Sequence, residues 1–547
     1  MSGKRFDYVV VGAGSAGSVV ASRLSEDPSA SVLLLEAGPP DSGRIFELPA
    51  LFSTQFKSAF DWDLLTEPEP QLDRRRLYLP RGRALGGTSS MNTTLYVRGH
   101  RRDYDEWAEN GAEGWSYEDV LPFFLRSEDN ERGANAFHAV GGPLRVSDPR
   151  SPHPLLEAWV DAAVEAGHRP NDDFNGPVED GVGLYQVTQR DGLRCSTAAA
   201  FLRPAEDRPN LTIWTGATAT RVIFERRRAK GVELERYGQS ETVEAECEVV
   251  ISAGAYLSPQ LLMLSGIGPA EHLRAHGIEV RADLPVGLNL QDHPGCFLSY
   301  FSRIPDVTGN DTEENERLLR NSGRGPLTWA EAGGFARTSP ELDAPDLQFH
   351  AAPGMFADDG LAESLGHALA FGPYPAKPAS RGRLWLRSKV PTAKPRILHN
   401  YLSDPRDLDV LRAGLRMAMT IARKPSLAEL LEPEGKASAA GLIPRSTSDE
   451  DIDAYIRSSV FSFFHPCGTC AIGDVVDTEL SVFETEGLRV ADASVMPSVI
   501  RGNTNAPAIM IGERAAEFIR GRPTAPAAAQ TIDVSGGEGA TGEVHVA

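Results

Sequence analysis

The chain has 547 residues, enough for more than one domain, and its 41% hydrophobic and 24% charged residues are an ordinary balance for a globular enzyme. Its 55 basic and 76 acidic residues give a net charge of -21, which disfavours nucleic acid or an anionic membrane surface as a partner. No apolar run of about 18 residues suggests a transmembrane helix, and five cysteines are too few, and odd in number, for a disulfide framework.

The first strand is expected within about six residues of the N-terminus, which leaves no room for a signal peptide and places the protein in the cytoplasm. Residues Asp7 to Gly17, DYVVVGAGSAG, form an apolar β-branched run followed by Gly12, Gly14 and Gly17 in the spacing G-x-G-x-x-G. In a dinucleotide-binding strand-turn-helix the first glycine permits the tight turn, the second lets a pyrophosphate approach, and the third lets helix and strand pack closely. Ser15 and Ala16 lie inside the same turn. The next apolar run, SVLLLE, ends in Glu36, 19 residues after Gly17, with Ala37 beside it. An acidic residue there accepts a hydrogen bond from an unphosphorylated ribose, as in NAD or FAD.

Between Arg81 and Gly99 the chain reads RGRALGGTSSMNTTLYVRG. Gly86 and Gly87 allow backbone to approach a ligand, while Thr88, Ser89, Ser90 and Asn92 supply hydroxyl and amide groups. With a second glycine-rich block from Gly254 to Gly268, this favours FAD over NAD. Helices are predicted around SYEDVLPFFLRSE and over His153 to Gly167, and LTIWTGATATRVIFERRRAKGVELE reads as strands joined by turns. From 296 to 454 the dinucleotide punctuation vanishes, and strands at AGGFART, PDLQFHAAP, HALAFGPYP and GRLWLRS precede a helix in DLDVLRAGLRMAMTIARK.

Near the C-terminus, FFHPCGTC places His465 before Pro466, on extended or turn backbone that can present an imidazole to a cavity. Asn505 stands where a helix N-cap belongs, ahead of APAIMIGERAAEFI. Taken alone, each residue has a purely structural reading. Cys467 and Cys470 form a C-x-x-C, but no second pair completes a zinc site and the flanks are not thioredoxin-like, so neither a metal site nor a redox dithiol is expected. Residues 522–547, rich in Pro, Ala, Gly and Ser, read as a disordered tail.

These blocks, with PVGLNLQDHP and NTNAPAIMIGE, resemble in order and spacing the glucose-methanol-choline (GMC) oxidoreductases, in their choline dehydrogenase-like or alcohol oxidase-like branch. The resemblance implies an α/β, Rossmann-like, doubly wound FAD-binding domain with an inserted α+β substrate domain built on an antiparallel sheet. The boundaries expected are 1–155, 205–295 and 455–521 for the FAD domain, and 156–204 and 296–454 for the substrate domain.

It further implies oxidation of an alcohol CH-OH group to a carbonyl, with hydride transfer to flavin N5 and reoxidation by oxygen or a quinone-type acceptor. His465 falls on the position of the base and Asn505 on that of its hydrogen-bonding partner. Gly12, Gly14, Gly17 and Glu36 hold the ADP half of FAD, Gly87, Ser90 and Asn92 the flavin side, and Asp492 and Ala493 the region of the ribityl-pyrophosphate, with Asn503 counted among the cofactor residues. A base with a pKa of about 6.5 suits work near neutral pH.

Met91 stands where covalently flavinylated relatives carry histidine, so the FAD is expected to dissociate. Glu331 resembles a carboxylate that choline enzymes place in the pocket, and Phe464 is expected to line an apolar wall. The alternative function is a hydroxynitrile lyase-like enzyme with structural FAD. Oligomeric state and the identity of the alcohol are not legible.

Overall fold

The computed structural model describes residues 4–307 and 309–521, so the expected tail at 522–547 lies outside the described residues. The first strand, Lys4–Val11, changes from exposed to fully buried along its length, and its Val9 and Val10 sit at the centre of the larger hydrophobic core. It pairs in parallel with Val32–Leu35 on one side and with the C-terminal part of the long strand Gln239–Ile251 on the other.

Leu211–Trp214 and Leu488–Val490 extend this parallel sheet outward. The N-terminal part of the long strand instead pairs antiparallel with Arg228–Arg236, which pairs with Ala217–Glu225, so a three-stranded meander branches from the parallel sheet.

The helix Ser15–Leu24 begins directly after the glycine turn and packs against the last helix, Asn505–Arg520. Small residues set how close they come: a Cβ on Gly512 would lie 2.7 Å from Ala16 O, and one on Gly17 only 1.9 Å from Gly12 O. The fully buried Glu513 ties the two helices by accepting from Arg23 Nη2 at 2.7 Å and from Ser127 Oγ at 3.0 Å. Such a buried charge is tolerated because every bond it needs is met.

The second core lies under a four-stranded antiparallel sheet in the order Leu298–Phe301, Ala368–Pro375, Leu347–Pro353, Ala332–Ala336. Leu347, Phe349 and Ala351 face this core, with the helices Pro154–Glu165 and Pro405–Ala422 packed against the sheet. The period of two therefore turns Gln348 and His350 to the opposite face, toward the first domain.

The two-part architecture is the expected one, but the cores cross the expected boundaries. Cys195, Ala198, Ala200, Phe201 and Leu202 join the first core, as do Leu384, Leu386 and Ile397. GRLWLRS accordingly forms a two-stranded ribbon, Arg383–Trp385 with Arg396–Leu398, outside the substrate sheet. In the other direction, Leu72, Leu77, Ile456 and Val460 belong to the second core. Local pattern reports that these residues are apolar without reporting which sheet buries them.

Candidate active site

A continuous cleft of about 940 Å³ runs between the two parts, from the glycine turn to the aromatic end of the substrate sheet. Gly12, Gly14, Ser15, Ala16, Glu36 and Ala37 line its first end, while Gly17 acts only in the helix-turn contact already described. Glu36 accepts the main-chain N–H groups of Ala13 at 3.0 Å and Gly38 at 2.8 Å. Burial pushes its carboxyl up to about 7 against those donors.

Further along, Gly87 takes a φ of +53° and packs so close that a Cβ would meet Gly14 Cα at 2.7 Å. Thr88, Met91 and Asn92 reach the cleft. Ser90 does not, contrary to expectation: its Oγ donates to Leu85 O at 2.8 Å and braces the turn from behind. Asp492 and Ala493 line the cleft too, with the Asp492 carboxylate accepting from Gly254 N at 2.9 Å and Ser258 Oγ at 2.5 Å.

Ser252 also lines this stretch, and its Oγ is buried without a protein partner. Glycine-lined walls, an oriented acidic group and an unsatisfied hydroxyl fit a long dinucleotide such as FAD.

At the far end, the backbone around the expected base is held by Asp292. Its Oδ1 accepts the main-chain N–H of His293 at 2.9 Å and of His465 at 2.7 Å, while its Oδ2 accepts from Tyr401 Oη at 2.6 Å and from Ser462 Oγ. Phe464, just before the base, has a φ of +66°, uncommon for a bulky residue. Its N–H donates to Ser462 Oγ at 2.8 Å and its carbonyl accepts from Arg81 Nη2 at 2.6 Å, so both sides of the strained residue are clamped.

The imidazole bonds can be followed from one end. His293 Nε2 lies 3.0 Å from Ala376 O, a carbonyl that can only accept, so Nε2 carries the proton. Burial pushes His293 down to about 4, so it is neutral and its Nδ1 is an acceptor. His465 Nδ1, 2.9 Å away, must therefore donate, which leaves the lone pair of His465 on Nε2. Burial, and next the neighbouring His293, His350 and Arg81 side chains, hold His465 well below the usual imidazole value. Its lone pair is thus available at neutral pH.

The group facing that lone pair is Asn503, with Nδ2 3.1 Å from His465 Nε2. The expected partner, Asn505, bonds elsewhere. Asn505 is the first residue of the last helix, after the N-cap position Thr504, and its Oδ1 accepts from Ser15 Oγ at 2.7 Å. It ties the N-termini of the first and last helices together at the cofactor cleft, while Asn503, on the other side of Thr504, faces the reaction end.

The buried Asp103 steadies both supports of this arrangement. It accepts Arg501 N at 2.6 Å, two residues before Asn503, and Lys377 Nζ at 3.0 Å, next to Ala376. Burial pushes its carboxyl up, but the Lys377 and Arg501 charges hold it below the ordinary value.

Glu331 and Phe464 both line the cleft. Glu331 Oε1 accepts from Trp329 Nε1 at 2.9 Å and Oε2 from His350 Nδ1 at 2.7 Å. Phe52, Phe56 and Phe463 complete the apolar wall. Cys467 and Cys470 are buried, and burial pushes the Cys467 thiol up to about 12.

Sequence reasoning passed over Gln348, His350, Tyr374 and Arg81, and met His293 only inside QDHP. One signal was present: in PDLQFHAAP the alternation leaves polar Gln348 and His350 on a strand buried on both faces.

The family description GMC oxidoreductase matches residues 6–295 with its N-terminal part and 378–512 with its C-terminal part. An uncharacterized GMC-type oxidoreductase of Mycobacterium tuberculosis is 46% identical over 539 residues, covering 94% of this chain and 99% of the relative. An oxygen-dependent choline dehydrogenase of Rhizobium rhizogenes is 40% identical over 537 residues, covering 94% and 96%. Among solved structures, pyridoxine 4-oxidase from Mesorbium loti has a TM-score of 0.85 at 30% identity, covering 95% of this chain and 100% of that one. Formate oxidase of Aspergillus oryzae has a TM-score of 0.87 at 26% identity, covering 95% and 99%.

These relatives support oxidation and lend nothing to the lyase alternative, and among the described residues no helix is long and apolar enough to cross a membrane. With the cleft, the buried imidazole pair and the matched length together, the chain belongs to the GMC oxidoreductases and is an FAD-dependent enzyme acting on the CH-OH group of alcohols.

Proposed function

We propose that His465 is the base that takes the hydroxyl proton and that Asn503, rather than Asn505, holds the substrate oxygen. The Nε2 lone pair of His465 facing Asn503 Nδ2 across 3.1 Å carries this reading. An alcohol entering between them donates its O–H to Nε2, while the Asn503 amide donates to the oxygen as negative charge grows there. The proton arriving on His465 is stabilised through Nδ1–H to His293 and onward to the Ala376 carbonyl. When bound, FAD supplies the two-electron acceptor for the carbon-bound hydride.

The substrate is a small alcohol bearing a cationic or amine group. Glu331 accepts from Trp329 Nε1 and His350 Nδ1 inside an aromatic wall, an arrangement of carboxylate and rings that a cation would match. The choline dehydrogenase relatives agree with such a substrate.

Anaerobic flavin bleaching by choline and by its uncharged carbon isostere tests this. Choline should win by about tenfold or more in kcat/KM, and the margin should collapse in Glu331→Gln. Equal bleaching by both alcohols would refute the charge-based choice. The FAD is held without a covalent link, since Met91 offers only a thioether to the cleft; acid precipitation should release all the yellow colour.

A further inference from the structure

We propose that Gln348 is a positioning residue that fixes which way the Asn503 amide points, and so keeps the Nε2 lone pair of His465 available for the substrate. This rests on His465 being the base.

Gln348 is fully buried on the strand Leu347–Pro353, directly across from Tyr374 in the antiparallel register. Tyr374 Oη donates to its Oε1. That bond turns the Gln348 amide so that Nε2 faces Tyr185 Oη at 3.1 Å, His350 Nε2 at 3.2 Å and Asn503 Oδ1 at 3.4 Å. All three can accept. Tyr185 spends its own hydrogen on Phe349 O at 2.7 Å, and His350 spends Nδ1–H on Glu331.

An amide that receives a hydrogen at its oxygen must present its nitrogen on the other side. Asn503 accepts from Gln348 at Oδ1 and therefore offers Nδ2 to His465, an orientation compatible only with an unprotonated His465 Nε2. Turned over, the same amide would show Oδ1 to Nε2 and favour the imidazolium. The chain from Tyr374 through Gln348 and Asn503 thus works in the same sense as the one from Ala376 through His293.

The charged and titratable groups facing His465 are His293 and, behind it, Asp292, together with His350 on the neighbouring strand and Arg81 at the Phe464 carbonyl. Of these, only His350 bonds to Gln348, through Nε2 at 3.2 Å, so its own titration is followed beside that of His465.

The test is anaerobic flavin reduction followed from acid to mildly alkaline pH in wild type, Gln348→Met, Tyr374→Phe and His465→Ala, alongside imidazole NMR of isotope-labelled histidine in the FAD-free proteins. In Gln348→Met the acid limb of the rate and the His465 titration should both move up by about half to one pH unit, the worth of one such bond, with the rate recovering toward wild type at high pH. Tyr374→Phe keeps the ring packing and should shift both in the same direction by less, which preserves the test if Gln348→Met folds badly.

A uniform loss of rate with the limb and the titration unmoved, or wild-type behaviour throughout, would overturn the inference and leave Gln348 as packing. The failure of the underlying reading is separate: it would show as His465→Ala retaining the wild-type rate of flavin reduction.

Discussion

The two ends of the cleft are built from different materials. At the cofactor end the walls are main chain: glycines that let backbone approach, and N–H groups held by Glu36 and Asp492. At the reaction end they are side chains, with His293, Gln348, His350, Tyr374, His465 and Asn503 drawn from widely separated segments into one buried network. Backbone geometry is written locally and tolerates little substitution; a side-chain network is written across the chain and can lose a member while the fold survives. Mutations at the two ends should therefore fail in different ways.

The largest effect should come from His465→Ala, which slows flavin reduction by about a hundredfold or more with FAD content unchanged, measured by stopped-flow absorbance and the flavin-to-protein ratio. At the other end, Gly87→Ala forces a side chain onto a φ of +53° and against Gly14 Cα. A strain of about 1–3 kcal/mol there should weaken FAD binding roughly tenfold to a hundredfold, read by titrating FAD into apoprotein, while protein saturated with FAD reduces at close to the normal rate. If Gly87→Ala instead bound FAD normally and lost its rate, the division would be wrong.

The asparagines sharpen the comparison because they lie two residues apart. Asn503→Ala should cost about tenfold in the rate of flavin reduction, through the lost bond to the oxygen. Asn505→Ala should leave that rate almost intact and lower stability by about 1 kcal/mol through the lost bond to Ser15, seen in chemical denaturation. The reverse result would restore Asn505 as the oxygen holder.

The smallest effect concerns pH. Because burial holds His465 below the ordinary imidazole value, flavin reduction should stay flat through neutral pH and fall only as pH drops below about 6.5, the unperturbed value. A limb centred at or above that value would mean that a different group accepts the proton.

The same division explains what the sequence could tell. Gly12, Gly14 and Glu36 were legible as one wall of the cleft because each lies just past the end of a strand, a position fixed by neighbours along the chain. His465 was legible because Pro466 constrains its backbone and the family motif surrounds it.

That Asn503 rather than Asn505 faces His465 is hidden in NTNAP, because the two asparagines differ only in whether they stand before the helix or in its first turn. Ser90 was misplaced for a similar reason, since neighbours in the turn from Gly87 to Ser90 point in different directions. Gln348 and Tyr374 were invisible as a pair, because their contact exists only through strand register across 26 residues.

The bond from Ser15 to Asn505 joins residues 490 apart, and the parallel strand Leu488–Val490 is likewise contributed late. During synthesis, then, the glycine turn leaves the ribosome long before the helix that closes over it exists. Completion of the cleft waits on these late segments, and any truncation upstream of residue 488 should yield a polypeptide with an intact nucleotide motif and no capacity to hold flavin.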